Sequence, residues 1–318
     1  MTSFYKILGV PFGLVLYFIY TTVGFHNYAV SIILLTLFAR CLMIPSTISQ
    51  QKGMAKTQRI QSKVRKIQEK YAGDQRKIQE ETQALYQREG YNPMNAGCTP
   101  MLFQFILLFG LIGAIYYPLS NFLPGIPASE IEILTGLVTK SGTMEKNQII
   151  NELLVIQQID DIVANGLEGV AQATIDKIKS VNFSFFGLFS LGDVPRDYKD
   201  GFHAIWLIPI LSTLSTVGSS LYSYLKQRKT QANSQAAASM GCMTIFMAAF
   251  SLYFVINYPA GIGIYWIASS VFSLILNVVI GHFYSPKKVL AKIMVEETVE
   301  RRSREENIKF AASANENK

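Results

Sequence analysis

The run MGCMTIFMAAFSLYFVINYPAGIGIYWIASSVFSLILNVVIGHF, Met240 to Phe283, is 44 residues long and holds no Asp, Glu, Lys or Arg. About 20 apolar residues cross the hydrocarbon core of a bilayer. The run is therefore too long for one crossing and suits two. Tyr258-Pro259-Ala260-Gly261 divides it. Proline cannot donate a backbone hydrogen bond and glycine turns freely, so the pair marks a tight reversal at a membrane surface. Two spans follow, 240–258 and 259–283.

Working outward, charge is absent from 201–225 and from 93–119, and between Asn27 and Gln50 the only charged residue is Arg40. These runs predict three more spans: 201–226, 93–119 and 27–50. Composition agrees. Of 318 residues, 50% are hydrophobic and only 16% charged, against about 25% charged in an ordinary soluble domain. The fold class is an all-α polytopic membrane protein with five transmembrane helices, not a soluble enzyme. Residues 1–26 fit three readings: a sixth span, an uncleaved signal anchor, or an amphipathic helix lying in the interface. Phe25-His26-Asn27-Tyr28 leaves little room for a crossing loop, which favours the interfacial helix.

Basic residues collect in the cytoplasm. Segment 51–92 has ten Lys/Arg against five acids, the 227–239 linker region (counted from Lys226) three against none, and the 284–318 tail eight against six; segment 120–200 has six against eleven. The first three are thus placed inside and 120–200 outside, with the amino terminus out and the carboxyl terminus in. All of these assignments agree with strict alternation across five spans.

Arg40 lies about 12 residues into its span, roughly 18 Å deep at 1.5 Å per residue. A charge there costs about 2.5–3.5 kcal/mol on insertion scales, and no span contains an Asp or Glu to meet it. Either the side chain snorkels to the headgroups or it faces a hydrated cavity and is free to attract an anion. A lining for such a cavity is at hand. Ser212, Ser215, Thr216, Ser219 and Ser223 recur every three or four residues in one span; Ser269, Ser273 and Asn277 do so in another; Gln104 and Thr36 lie in the remaining two. Stripes like these also serve as close-packing faces between helices.

In 51–92, Ile60, Val64, Ile67 and Tyr71 form one helical stripe, and Ile78, Thr82, Leu85 and Tyr86 another, broken by Ala72-Gly73-Asp74. This predicts a cytoplasmic helical hairpin, either a solvated spacer near anionic lipid or a mobile docking element. Met240, Met243 and Met247 share a face suited to varied apolar partners or to plain packing. Glu145 to Ala164 reads as an amphipathic helix of the outer segment, and Lys287, Lys288, Lys292, Arg301, Arg302 and Arg304 give the tail a basic stripe suited to rRNA phosphates. Cys41, Cys98 and Cys242 form no CxxC pair, the three histidines are dispersed, and no GxxxxGK[ST] loop occurs, so no disulfide framework, metal, nucleotide or other cofactor is expected.

ILLTLFARCLMIPSTISQQ, KIQEKYAGDQRKIQEETQALYQREGYNPMNAGCTPMLFQ and YPAGIGIYWIASS, in this order, resemble the YidC/Oxa/Alb family of membrane protein insertases. The residues that carry the likeness are Arg40, Pro45, Asn92, Pro93, Gly97, Cys98, Pro100, Gln104, Pro259, Gly261, Tyr265 and Trp266. VPFGLVLYFIY near the start looks like clostridial members, whose first segment is an interfacial helix. The chain departs from the family at Ser270, where Asn is frequent, and at Leu276 and Asn277, where glutamines are; its outer segment is also long. The resemblance implies a non-enzymatic insertase and chaperone of the bacterial plasma membrane. Its hydrophilic groove would be open to the cytoplasm and lipid. Its partners would be nascent membrane proteins, membrane lipids, the ribosome and the Sec translocon, with no DNA. A solute transporter or channel is the alternative, but it favours inverted repeats and paired intramembrane charges, and neither is present.

Overall fold

The computed structural model describes residues 2–90, 106, 109–138, 151–228, 234–284 and 286–316. The described residues are mainly helical and contain no strand. The order is α1 (Thr2–Thr22), α2 (Tyr28–Leu42), α3 (Ile44–Lys70), α4 (Gln75–Arg88), α5 (109–116), a π-helical turn (Pro118–Phe122), α6 (Ala128–Leu137), α7 (Asn151–Ala164), α8 (Gln172–Lys179), α9 (Leu207–Arg228), α10 (Ser234–Asn257), α11 (Ala260–Phe283) and α12 (Pro286–Glu316). They form two compact units. One holds α1, α2, α5 to α8, nearly all of α9 and α10, and α11 as far as Ile275; the other holds α3, α4, the end of α11 from Leu276, and α12.

The first unit is built around Tyr28, which is fully buried at the start of α2. Its hydroxyl donates to the Ala114 carbonyl at 3.0 Å. Its ring stacks on Phe183 at 4.3 Å and meets the edge of Phe122 at 4.8 Å. Tyr17 and Tyr20 of α1 add edge contacts to Phe122. Helix α1 lies against α2 and the π-helical turn, burying Leu16, Ile19 and Tyr20 and exposing Ile7, Leu14 and Phe18. Glycine makes this approach possible. A Cβ at Gly13 would stand 2.1 Å from the Asn121 carbonyl oxygen, and one at Gly9 2.2 Å from Asn121 Nδ2. On the other side of the π-helical turn, buried Glu152 of α7 accepts from Ser120 N at 2.8 Å and Ser120 Oγ at 2.5 Å. The helices after residue 120 are thereby tied to the bundle.

Several boundaries differ from the sequence expectation. Segment 27–50 is two helices, because Pro45 cannot donate and the ladder must restart. The Met43 N–H is shared between the Ala39 and Arg40 carbonyls, 3.2 Å from each. The fifteen residues of α2 rise about 22 Å, short of the roughly 30 Å core. The described residues of the linker expected at 227–239 are helical: α9 runs to Arg228, and α10 starts at Ser234, where Gln-Ala-Ala-Ala is strongly helix-forming. By length and composition, Ala204–Leu225 and Ala260–Phe283 suffice to cross a membrane; Ile7–Thr22, Tyr28–Leu42 and Ala248–Asn257 are shorter apolar stretches. The Asn92 to Gln104 motif, and the start of the expected helix before Asn151, lie outside the described residues.

In the second unit, α3 and α4 are joined by Tyr71–Asp74, and Asp74 caps α4 by accepting from Lys77 N at 3.1 Å. Lys63 Nζ reaches Glu89 Oε1 across the turn at 2.5 Å, which holds that carboxyl below its usual range. Of the two stripes only Ile60 is buried; Val64, Ile67, Tyr71, Ile78, Thr82, Leu85 and Tyr86 are half-buried. Helix α12 packs on α3 and continues to Glu316. Within it Lys292, Arg301 and Arg304 face glutamates one turn away at 3.6–3.9 Å, and such exposed pairs contribute little.

Gly13→Val forces a side chain into the backbone at Asn121. It should lower the thermal midpoint in detergent by the equivalent of about 1–3 kcal/mol or more, whereas Gly136→Val, with open space around its Cβ position, should lower it much less.

Candidate functional site

Arg40 stands in the last turn of α2. That position sets its guanidinium near the negative end of the helix dipole, which offsets part of the burial cost. One terminal N–H donates to Ser269 Oγ of α11. The Nε–H is buried without an acceptor among the described residues. Among the described residues the guanidinium thus meets a neutral hydroxyl and, electrostatically, Tyr265, with hydrogen-bonding capacity left over at Nε.

Beside it is a second polar cluster. Ser251 Oγ of α10 lies 3.2 Å from Ser212 Oγ and 3.5 Å from Thr216 Oγ1, both on α9, and Thr216 Oγ1 lies 3.3 Å from Ser270 Oγ on α11. Ser212, Thr216, Ser251 and Ser269 are all buried. Ser269 and Ser270 are consecutive and therefore point about 100° apart on a helix. The first serves Arg40 and the second serves α9. Helix α11 so joins the arginine to the hydroxyl cluster.

The remaining candidates divide. Thr36 is buried, but its hydroxyl donates to the Ile32 carbonyl at 2.7 Å, so it is turned to its own helix instead of a shared lining. Ser215, Ser219 and Ser223 are half-buried and also donate within α9, at 3.0–3.1 Å. Ser273 and Asn277 follow on α11, half-buried, with Asn277 in the second unit. Gln104 lies outside the described residues; Met240, Met243 and Met247 fall on α10, but their side chains are likewise outside them. Sequence reasoning missed Ser251, a lone serine amid apolar residues, and treated Ser270 only as a departure from a pattern. Among the described residues no group of three or more His, Cys, Asp or Glu could hold a metal ion.

A model of the family described as 60Kd inner membrane protein matches residues 18–288. The chain belongs to this family, the YidC/Oxa/Alb insertases. The insertase YidC of Caldanaerobacter subterraneus is 28% identical over 263 residues, covering 83% of this chain and 88% of that protein. The insertase YidC of Clostridium perfringens is 26% identical over 266 residues, 84% of this chain and 83% of its own length. That of Syntrophus aciditrophicus is 38% identical over 118 residues, 37% of this chain and only 21% of that longer protein. Membership makes the chain a membrane protein, and the family's activity is insertion rather than solute transport.

Removing the shared hydroxyl tests the cluster. Ser251→Ala leaves Ser212 and Thr216 short of a partner and should destabilise by about 1–3 kcal/mol in thermal or denaturant unfolding in detergent. Ser215→Ala, at a half-buried hydroxyl bonded only locally, should stay within about 0.5 kcal/mol.

Proposed function

We propose that this chain receives nascent membrane proteins in a hydrophilic groove, where Arg40 attracts acidic residues of the segment to be translocated, and then releases their apolar helices into lipid. The observation that carries this reading is the Arg40 guanidinium, bonded to Ser269, with a buried Nε–H lacking an acceptor among the described residues. No Asp or Glu lies in 27–50, 93–119, 201–225 or 230–285 to neutralise it. An entering carboxylate can supply the missing acceptor. Charge-assisted hydrogen bonds contribute about 1.5–3 kcal/mol, enough to bias entry and weak enough to let go.

Ser212, Thr216, Ser251, Ser269 and Ser270 give the polar wall, continued by Ser215, Ser219, Ser223 and Ser273. Met240, Met243 and Met247 offer adaptable apolar contacts to an arriving helix. Release is driven by burial of the substrate's apolar surface in lipid, at about 25 cal/mol per Å².

Five spans place the amino terminus outside and the carboxyl terminus in the bacterial cytoplasm, because basic residues concentrate in 51–92, 227–239 and 284–318. The α3–α4 pair is then the cytoplasmic docking element. The exposed pairs of α12 can exchange their glutamates for rRNA phosphates, so the tail contacts the ribosome with marked salt dependence. The chain works alone or beside the Sec translocon and needs no cofactor. Residues 120–200 form the extracellular segment.

The test is insertion into proteoliposomes. Arg40→Lys keeps the charge but loses the planar fork and should retain most activity. Arg40→Ala should lose on the order of tenfold for substrates with acidic outer segments, and much less when those acids are changed to Asn or Gln. Full activity of Arg40→Ala on the acidic substrates would remove the arginine from the mechanism.

A further inference from the structure

Outside the polar site, the described chain has three non-glycine residues with positive φ: Phe25 (φ 53°), His26 (φ 52°) and Phe186 (φ 49°). A bulky side chain there is an outlier. Phe25 is 86% exposed and Phe186 68%. Neither ring is explained by burial.

Phe186 is the tip of a small hairpin. Leu191 N donates to the Phe183 carbonyl and Phe185 N to the Phe189 carbonyl, both at 2.9 Å, and the turn closes with Leu188 N to the Phe185 carbonyl at 3.0 Å. The two central residues, Phe186 and Gly187, both have positive φ. Such turns favour Asn, Asp or Gly at both places. This one carries Phe at the first, followed by Leu188, which is 60% exposed. From Ser180 to Gly192 there is no charged residue.

The stem is fixed. Phe183 stacks on Tyr28, Asn27 Nδ2 donates to the Ser184 carbonyl at 3.2 Å, Tyr28 N donates to the Asn182 carbonyl at 3.1 Å, and Gly261 N donates to the Leu191 carbonyl at 2.9 Å. The hairpin is therefore mounted where α2 and α11 begin, two residues from Phe25. The exposed stripe of α1, Ile7, Leu14 and Phe18, leads along its helix towards that same turn.

We infer that Phe186 and Leu188, with Phe25 beside the stem, form a wedge that inserts into the lipid headgroup–acyl boundary at this end of the bundle. The occupant is lipid because the tip is uncharged, because it stands at helix ends where a bilayer surface must fall, and because the exposed apolar stripe of α1 leads to it. Aromatic side chains gather at that depth. A strained, rigidly mounted tip holds its depth without further ordering cost. The inference rests on the membrane-spanning reading of the helices but not on insertion activity.

The test uses the full chain with Cys41, Cys98 and Cys242 changed to Ser, alone in nanodiscs of phosphatidylethanolamine and phosphatidylglycerol. Nitroxide labels are placed singly at Phe186→Cys, Leu214→Cys on the exposed face of α9, and Glu168→Cys. The ratio of oxygen to nickel-chelate accessibility should be severalfold higher at 186 than at 168, and high at 214. A label at 186 as open to nickel as that at 168, with 214 shielded, overturns the wedge and leaves the tip to a protein partner. A label at 214 open to nickel overturns the spanning reading and the wedge with it. Phe186→Gly removes the ring and relieves the backbone, so the melting temperature in detergent should not fall; a fall would show that the ring packs within the protein, and would overturn the wedge.

Discussion

A guanidinium among apolar helices must find its polar partners in the protein, because hydrocarbon offers none. Arg40 meets this constraint with a serine hydroxyl from α11 and with its own helix end. Everything at that level follows from it. Ser269 is committed to the arginine, so the neighbouring Ser270 carries the link to α9 through Thr216, and Thr216 shares Ser251 with Ser212. The polar groups of α2, α9, α10 and α11 form one chain of contacts with α11 in the middle. That helix is fixed at its start, where Ala260 and Gly261 donate to the Asp193 and Leu191 carbonyls at 2.8 and 2.9 Å.

The two levels of the first unit differ in kind. Around Tyr28 the contacts are aromatic, buried and backed by hydrogen bonds to backbone carbonyls. Glycines at positions 9 and 13 let α1 close to backbone contact there. Next to the Arg40–Ser269 bond, the contacts among Ser212, Thr216, Ser251 and Ser270 are hydroxyl to hydroxyl at 3.2–3.5 Å, longer than the usual O–H···O distance. Opening free energy varies across a structure with packing and hydrogen bonding. The Tyr28 level is held by buried rings and backbone carbonyls, and the Arg40 level by side-chain hydroxyls.

Much of this was legible in sequence, for reasons that can be named. Charge-free runs stand out because a single charge in lipid is expensive, so α9 and α11 were visible at once, as was Arg40 as the exception. The break at Met43 was less visible: Pro45 was in plain view, but the residues on both sides are apolar and hid it within one span. Ser251 was beyond reading, since a single hydroxyl on an apolar helix carries no period and gains meaning only when α9 and α11 bring Thr216, Ser212 and Ser270 to it. The Phe183–Leu191 hairpin was invisible for another reason. Its turn places Phe186 where turn chemistry predicts Asn or Gly, so the local signal pointed away from the structure that forms.

The choice of serine as the partner of Arg40 is itself informative. A carboxylate at position 269 would pair with the guanidinium, and breaking a buried ion pair costs about 3–5 kcal/mol. An acidic substrate residue would then have to displace an equal competitor inside the bundle. A serine hydroxyl satisfies one N–H at a net contribution of about 1.5–3 kcal/mol and brings no opposite charge to the guanidinium. The resting site is poorer than a salt bridge would make it, and on the proposed mechanism the difference is what an incoming carboxylate would recover. On the proposed mechanism the same arithmetic would limit the dwell time: once the substrate's apolar helix is taken up by lipid, a single charge-assisted contact would be too weak to hold the segment behind it.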